Sequence, residues 1–192
     1  MCNNARLKVV DHWLQMIFAM ATIQKLAKSL DELKLKRKTT FRFKNFQIVL
    51  DKKSIEKPEH VTMKALLWSM YIEEFPALKV EIKVGGRYKP DLVAQDSLGN
   101  IQLWVEVGRV KPAKVAKLAS THKAARIVIA RWGNAPSFRT SLLKVLSPEQ
   151  LNSGRITLIN FIPEQCRECI DSNGKIDLGK VGYRKIGLNS EA

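Results

Sequence analysis

Cysteine is scarce in this sequence, with three residues among 192. Cys2, Cys166 and Cys169 are too few for a disulfide framework, which is typical of a chain that stays in the reducing cytoplasm. Cys166 and Cys169 form a single CxxC pair, but a structural zinc site needs a second ligand pair that the histidines are not spaced to supply. We therefore expect both to be partly buried helix residues, with redox chemistry as an alternative.

Long apolar runs are also missing. The apolar run from Trp13 to Ala19 is far shorter than the roughly 20 residues that a membrane-spanning helix needs. It does not fit a secretory signal either, because no small-residue cleavage site precedes a disulfide-rich mature protein. No internal repeat, linker or low-complexity segment divides the chain. Its 192 residues are an ordinary length for one domain. The sequence thus predicts a single cytoplasmic domain.

Acidic residues are few. The chain has 18 of them and 33 basic residues, which gives a net charge of +15. The basic residues are spread along the chain, so the folded surface should be electropositive and attract phosphate polymers. The alternative is that the charge serves only solubility, since many basic proteins bind nucleic acid without specificity. A hydrophobic content of 45% indicates a folded core.

The stretch from Tyr88 to Lys117 carries the most informative pattern in the chain. It predicts a strand from Leu92 to Ala94, a turn over residues 96–100, a second strand from Ile101 to Val107, and a helix that begins at Pro112. The rest of the chain predicts an α/β core whose central strands are covered on both faces.

Other elements follow from apolar periodicity and from breaker residues. The clearest helix begins at Pro58 and ends near Phe75, because Pro76 stops it. We expect strands over 39–43, 46–50, 78–84, 124–130 and 155–162, helices over 138–146 and 163–170, and a terminal hairpin over 175–186. Residues 22–35 fit either a helix or extended structure.

Two carboxylates interrupt the central hairpin. Asp91 stands at the entrance to the first strand, and Glu106 lies inside the second, where a charge is costly unless it is paired or bound to a cation. A five-residue turn places both near the same end of neighbouring strands, close enough to share a divalent metal ion. The alternatives are that Asp91 is a common turn residue and that Glu106 pairs with a buried Lys or Arg.

This arrangement resembles the PD-(D/E)XK nuclease superfamily, whose motif places Pro-Asp before one strand and acidic-X-Lys in the next. Pro90, Asp91 and Glu106 match it, whereas Gly108 occupies the place of the lysine. Glu106-Val107-Gly108 followed by a helix with Lys117 is similar to the YaeQ family, a divergent bacterial branch in which the lysine has moved onto the next helix.

The similarity to the YaeQ family extends over about residues 20–190. It includes the segments from Glu59 to Trp68, from Leu103 to Gly108 and from Ile127 to Asn134. The resemblance implies a restriction-endonuclease-like α/β core, with a mixed central sheet flanked by helices and additional β-strands. It also implies one domain over residues 20–192, with residues 1–19 as an N-terminal extension from a misassigned start, so that Met20 begins the natural chain.

The resemblance further implies a site for Mg²⁺ or Mn²⁺. Asp91 and Glu106 would hold the ion with the Val107 carbonyl, Glu59 would complete the shell through a water, and Lys117 would stabilise the attacked phosphate. Alternatively, Glu59 only complements the dipole of its helix, and Lys114 and Lys117, which share a helix face, are solvated.

Further basic residues cluster around this stretch and are candidates for tracking a nucleic-acid backbone: Arg87, Lys89, Arg109, Lys111, Lys114 and Arg131. Tyr88 and Trp132 are candidates for stacking on bases, although Trp132 fits the core or its rim equally well.

Two functions from different classes follow. The first is a Mg²⁺-dependent nuclease or nuclease-like phosphodiesterase acting on DNA or RNA. The second is a nucleic-acid or transcription-machinery binding protein that keeps the nuclease fold without turnover, which the displaced lysine favours.

Overall fold

The computed structural model describes residue 35, residues 37–166 and residues 168–188. The expectations for residues 1–19, for a start at Met20 and for residues 22–34 lie outside these residues. In the described part of the chain, no helix has both the length and the apolar character to cross a membrane.

In the part of the chain that the structure describes, eight strands form two sheets. The first two, β1 (Lys38–Phe43) and β2 (Phe46–Asp51), make an antiparallel hairpin. The other six form one sheet in sequential order: β3 (Lys79–Val80), β4 (Leu92–Gln95), β5 (Ile101–Val107), β6 (Arg126–Trp132), β7 (Ile156–Phe161) and β8 (Tyr183–Ile186). The central pairs β5–β6 and β6–β7 are parallel, and the outer pairs are antiparallel.

Within the described residues, four α-helices accompany the strands: α1 (Pro58–Tyr71), α2 (Pro112–Thr121), α3 (Ala135–Leu143) and α4 (Pro148–Asn152). Each carries a proline at its first or second position, where the missing N–H costs nothing and the fixed φ favours the helix. Helix α4 also has a capping box between Ser147 and Gln150. Two short 3₁₀ segments lie at Pro163–Cys166 and Leu178–Lys180.

The six-stranded sheet is covered on both faces. One apolar cluster joins the sheet to α1 and the β1–β2 hairpin, through residues such as Phe41, Leu66 and Val105. A second cluster joins the opposite face to α2 and α3, through Trp104, Leu118 and Leu142. Neighbouring strand residues alternate between these clusters because successive side chains point to opposite faces. The predicted mixed α/β core with buried central strands is confirmed.

Some predicted elements are shorter than expected or pair differently. Strand β3 stops at Val80 because Glu81 adopts a left-handed backbone with φ of 49°. The predicted helix over 163–170 is a 3₁₀ turn that ends at Cys166. The prediction of a terminal hairpin over 175–186 is wrong. The Ile176 N–H donates to the Arg42 carbonyl in β1, and β8 pairs with β7. These pairings are long-range, and local patterns do not encode them.

The two late cysteines are buried, as expected. The Cys169 thiol donates to the Cys166 carbonyl over 2.9 Å. A hydrogen bond from the Cys169 side chain lowers the pKa of Cys166, and the same contact, together with burial, raises the pKa of Cys169.

Candidate nucleic-acid interface

A cleft opens where the parallel strands β5 and β6 end. Its cavity has a volume of about 800 Å³, which is within the range of pockets that enclose small ligands. The first turn of α1, the loop before it and the loops around Glu81 and Asp91 form the other walls. Open α/β sheets commonly bind ligands at the carboxyl ends of their parallel strands.

One wall of the cleft carries two arginines. The Arg131 Nη1 atom donates to the Gly108 carbonyl over 3.2 Å, and the Arg131 guanidinium lies 4.8 Å from the Phe138 ring centroid. Burial and the positive charge of Arg109 both lower the pKa of Arg131. Among the described residues, neither arginine forms an ion pair with a carboxylate. An anion between them would therefore relieve an uncompensated repulsion.

The opposite wall carries acidic residues that are paired with lysines of the protein itself. Lys64, in α1, is 1% exposed, and its Nζ lies 2.6 Å from Glu56 Oε1 and 2.5 Å from Glu81 Oε1. Lys53 donates to the second Glu81 oxygen over 2.8 Å. Burial opposes ionisation of Glu81, but the two lysines outweigh it and lower its pKa to about 2. Glu81 therefore stays ionised near neutral pH, and both carboxylates are paired with lysines.

Asp91 and His60 form the floor between the two walls. The Asp91 Oδ2 atom accepts from the Val107 backbone N–H over 2.7 Å, and Oδ1 lies 3.3 Å from His60 Nε2. Gly108 has φ of 75°, and a Cβ atom at this position would lie 3.3 Å from His60 Nδ1. The missing side chain at Gly108 thus leaves room for the His60 ring.

Glu106 is buried beside the cleft and does not line it. Its Oε1 accepts from Trp104 Nε1 over 2.7 Å, and its Oε2 accepts from Lys114 Nζ over 2.6 Å. Burial raises the pKa of Glu106, while both hydrogen bonds oppose that shift. The interpretation that Glu106 pairs with a lysine is confirmed, but the Lys114 side chain is 21% exposed and so is only partly buried. Lys117, on the same helix, is exposed and forms no hydrogen bond or ion pair with the described residues.

The structure thus divides the candidate residues into two groups. Those that line the cleft are Glu59, Lys89, Asp91, Val107, Arg109 and Arg131. Those outside its lining are Arg87, Glu106, Lys111, Lys114 and Lys117. Glu59 lies in the first turn of α1, and its Oε1 atom is 3.9 Å from Lys57 Nζ. Its place in that turn fits the interpretation that it complements the helix dipole. Tyr88 lies between Lys114 and Arg87, with cation-to-centroid distances of 5.2 and 5.7 Å.

The carboxylates, as arranged, do not fit a divalent metal centre. Within the described ranges, no three Asp, Glu, His or Cys side chains converge as a metal-holding group. Both Glu106 oxygens hold internal donors, and one Asp91 oxygen is bound to Val107. A cation shared by Asp91 and Glu106 would therefore first require Lys114 to leave Glu106.

Sequence reasoning missed the network of Glu56, His60, Lys64 and Glu81. Lys64 offered one signal, since it interrupts the apolar run Val61–Trp68, and a lysine is almost never fully buried unless it is paired. Its partners lie 8 and 17 residues away, on irregular segments, so no periodicity connects them. His60 stood next to the selected Glu59, but nothing local indicated its contact with Asp91.

Fold and cleft together define an α/β protein with a mixed six-stranded sheet, helices on both faces and a charged cleft at the ends of its parallel strands. Solved structures with this fold include two YaeQ proteins. The YaeQ protein from Xanthomonas axonopodis pv. citri is 15% identical with a TM-score of 0.52, and the YaeQ protein from Pseudomonas syringae is 13% identical with a TM-score of 0.53. Each similarity covers 79% of this chain and 94% of the other. Comparisons with protein-family models and with curated proteins gave no match.

Replacing the buried lysine should strongly destabilise the fold. We expect Lys64→Met to lower the free energy of unfolding by about 3–5 kcal/mol, because Glu56 and Glu81 lose their buried counter-ion. Urea unfolding measures this loss. Lys53→Met is the matched control, since Lys53 also binds Glu81 but is 60% exposed, and it should cost less than about 1 kcal/mol. Equal losses in the two variants would contradict a special role for Lys64.

The low pKa of Glu81 predicts a specific acid sensitivity. Glu81 is protonated near its ordinary value of 4.5 in the unfolded chain but only near about 2 in the folded protein. Its stabilisation is therefore complete above pH 4.5 and is lost as the pH falls towards 2. The difference in unfolding free energy between wild type and Glu81→Gln should stay constant above pH 5 and shrink below it. A difference that is unchanged at pH 2.5 would refute this assignment.

Proposed function

We propose that this protein binds nucleic acid and that the cleft at the ends of β5 and β6 is its binding site. The observation that carries the proposal is the charge arrangement of the cleft. Arg109 and Arg131 face the cavity without carboxylate partners among the described residues, whereas Glu56 and Glu81 on the opposite wall are neutralised by Lys64 and Lys53.

The chemistry of the free cations matches a phosphate group. A guanidinium offers several N–H donors in a planar fork, which suits two phosphate oxygens at once. Lys89 lines the same cavity and adds a third cation. Its Nζ atom lies 3.6 Å from Glu81 Oε2. The net charge of +15 attracts a polyanion over a longer range. Binding therefore combines the long-range attraction of the net positive charge with hydrogen-bond donors from Arg109 and Arg131.

Metal-dependent phosphodiester hydrolysis is the second candidate, and one observation favours it. Asp91 lines the cleft and lies across from Glu106, because the Asp91 N–H bonds the Val105 carbonyl in the β4–β5 ladder. This adjacency supports a restriction-endonuclease-like core of the PD-(D/E)XK type and a nuclease using Mg²⁺ or Mn²⁺. The same structure places Lys114, and not Lys117, on Glu106.

Nucleic-acid binding should depend on salt and on the two cleft arginines. We expect labelled single-stranded DNA to bind wild type with an affinity that falls linearly on a double logarithmic plot against salt concentration. The double variant Arg109→Gln/Arg131→Gln should bind more weakly and lower the slope by roughly 1.4, because two phosphate contacts are lost. Fluorescence anisotropy at several salt concentrations measures both quantities.

A charge-matched control separates the cleft from the general surface. Lys144→Gln/Lys175→Gln removes the same charge from two exposed residues outside the cleft lining. If this control changes affinity and slope as much as the arginine variant does, binding is a property of the whole surface and the cleft proposal fails.

Hydrolysis is tested by incubating labelled DNA and RNA with Mg²⁺, Mn²⁺ or a chelator. If the second candidate is right, Asp91→Asn and Glu106→Gln each lower a metal-dependent cleavage rate by about 100-fold or more, whereas Lys117→Gln leaves it nearly unchanged. Thermal unfolding must show that the buried variant Glu106→Gln remains folded. Binding without cleavage in wild type would reject hydrolysis and leave the first proposal intact.

A further inference from the structure

We infer that the cleft accommodates one unpaired nucleotide, so that the protein selects single strands or strand ends over intact duplex. This inference rests on the proposed nucleic-acid binding and specifies the substrate class of the same site.

The shape of the site limits what can enter it. A cavity of about 800 Å³ is comparable to pockets that surround a drug-sized molecule, and one nucleotide is a ligand of that size. A duplex is usually read by a convex helix or ribbon that enters a groove about 12 Å wide. The cleft is concave, so it meets a base only after the base has left the stack.

The wall of the cleft that carries Arg109 and Arg131 is suited to bind the phosphate of such a nucleotide. Arg131 is fixed at two points, by the Gly108 carbonyl at 3.2 Å and by the Phe138 ring at 4.8 Å. One Nη atom is used in this way, and the rest of the guanidinium is left to bind an anion. Arg109 is exposed and follows Gly108 directly in the chain, so it contributes the second cation from the same wall.

Apolar surface for a base is present in the same cavity. Trp132 lines it, and the Trp132 ring is supported from within by Phe161, with 6.1 Å between the ring centroids. Ile55 also lines the cavity, although its side chain is 92% exposed to solvent. An aromatic ring held by a core residue is a suitable stacking platform, since every base presents a π-face.

Duplex must lose base pairing before it can use this site. Extruding a base from a duplex costs a few kcal/mol of stacking and pairing, whereas an unpaired nucleotide enters without that cost. A cleft that combines a phosphate clamp with a stacking ring therefore favours single strands. Stacking alone carries little sequence preference.

The test compares a labelled single strand of twelve nucleotides with the blunt duplex of the same sequence, in chelator so that no cleavage occurs. We expect the single strand to bind about tenfold or more tightly than the duplex. Trp132→Ala should weaken single-strand binding about fivefold or more, and should leave the weak duplex binding unchanged. Anisotropy measures the affinities.

A second measurement locates the base. Tryptophan fluorescence of wild type should be quenched by the unlabelled single strand, and Trp132→Phe should lose that quenching while it keeps a ring for stacking. Trp68 and Trp104 are 2% and 1% exposed, so they provide an internal background. Both proteins also carry Trp13→Phe, so that the fourth tryptophan adds no signal.

The possible results distinguish failure of this inference from failure of the proposed nucleic-acid binding on which it rests. Equal affinity for duplex and single strand, or quenching that persists in Trp132→Phe, would overturn the inference while nucleic-acid binding stands. Absence of any nucleic-acid binding by folded wild type would overturn both. If Trp132→Ala unfolds, Trp132→Phe and the strand comparison decide the matter without it.

Discussion

The surroundings of the cleft depend on one buried cation, Lys64. Its ammonium group joins Glu56, in the loop before α1, to Glu81, in the loop after β3, and it does so at 1% exposure. Removing either partner from such a pair leaves an uncompensated charge in a medium of low dielectric. The two loops that form the acidic wall are therefore fixed to α1 by electrostatics as well as by packing, although Glu81 has a strained backbone with φ of 49°.

A second buried ion pair lies on the other face of the sheet. Glu106 in β5 binds Lys114 in α2 and the indole N–H of Trp104, so the charge that interrupts the strand also attaches the helix that covers it. Buried carboxylates are thus held by lysines on both sides of the sheet. Among the described residues, Arg109 and Arg131 are the cleft cations without a carboxylate partner. This difference is the physical basis for our proposal that the cleft binds a phosphate polymer.

The likeness to the two YaeQ structures shows a shared fold at 13% and 15% identity. It does not select between binding and hydrolysis, because that choice depends on contacts of individual side chains. In this chain the decisive contact is the one between Lys114 and Glu106, which competes directly with any cation at the same carboxylate.

The sequence by itself determined the β4–turn–β5 hairpin, the proximity of Asp91 to Glu106, the buried central strands and the cationic character, because these follow from local periodicity, turn residues and composition. Only the tertiary structure decided which lysine meets Glu106. Lys114 and Lys117 share a helix face, and the packing of Val115 and Leu118 sets the helix so that its first turn lies against the carboxylate. The partners of Lys64 and the place of His60 beside Gly108 were likewise decided by packing, since they join segments that are distant in the chain.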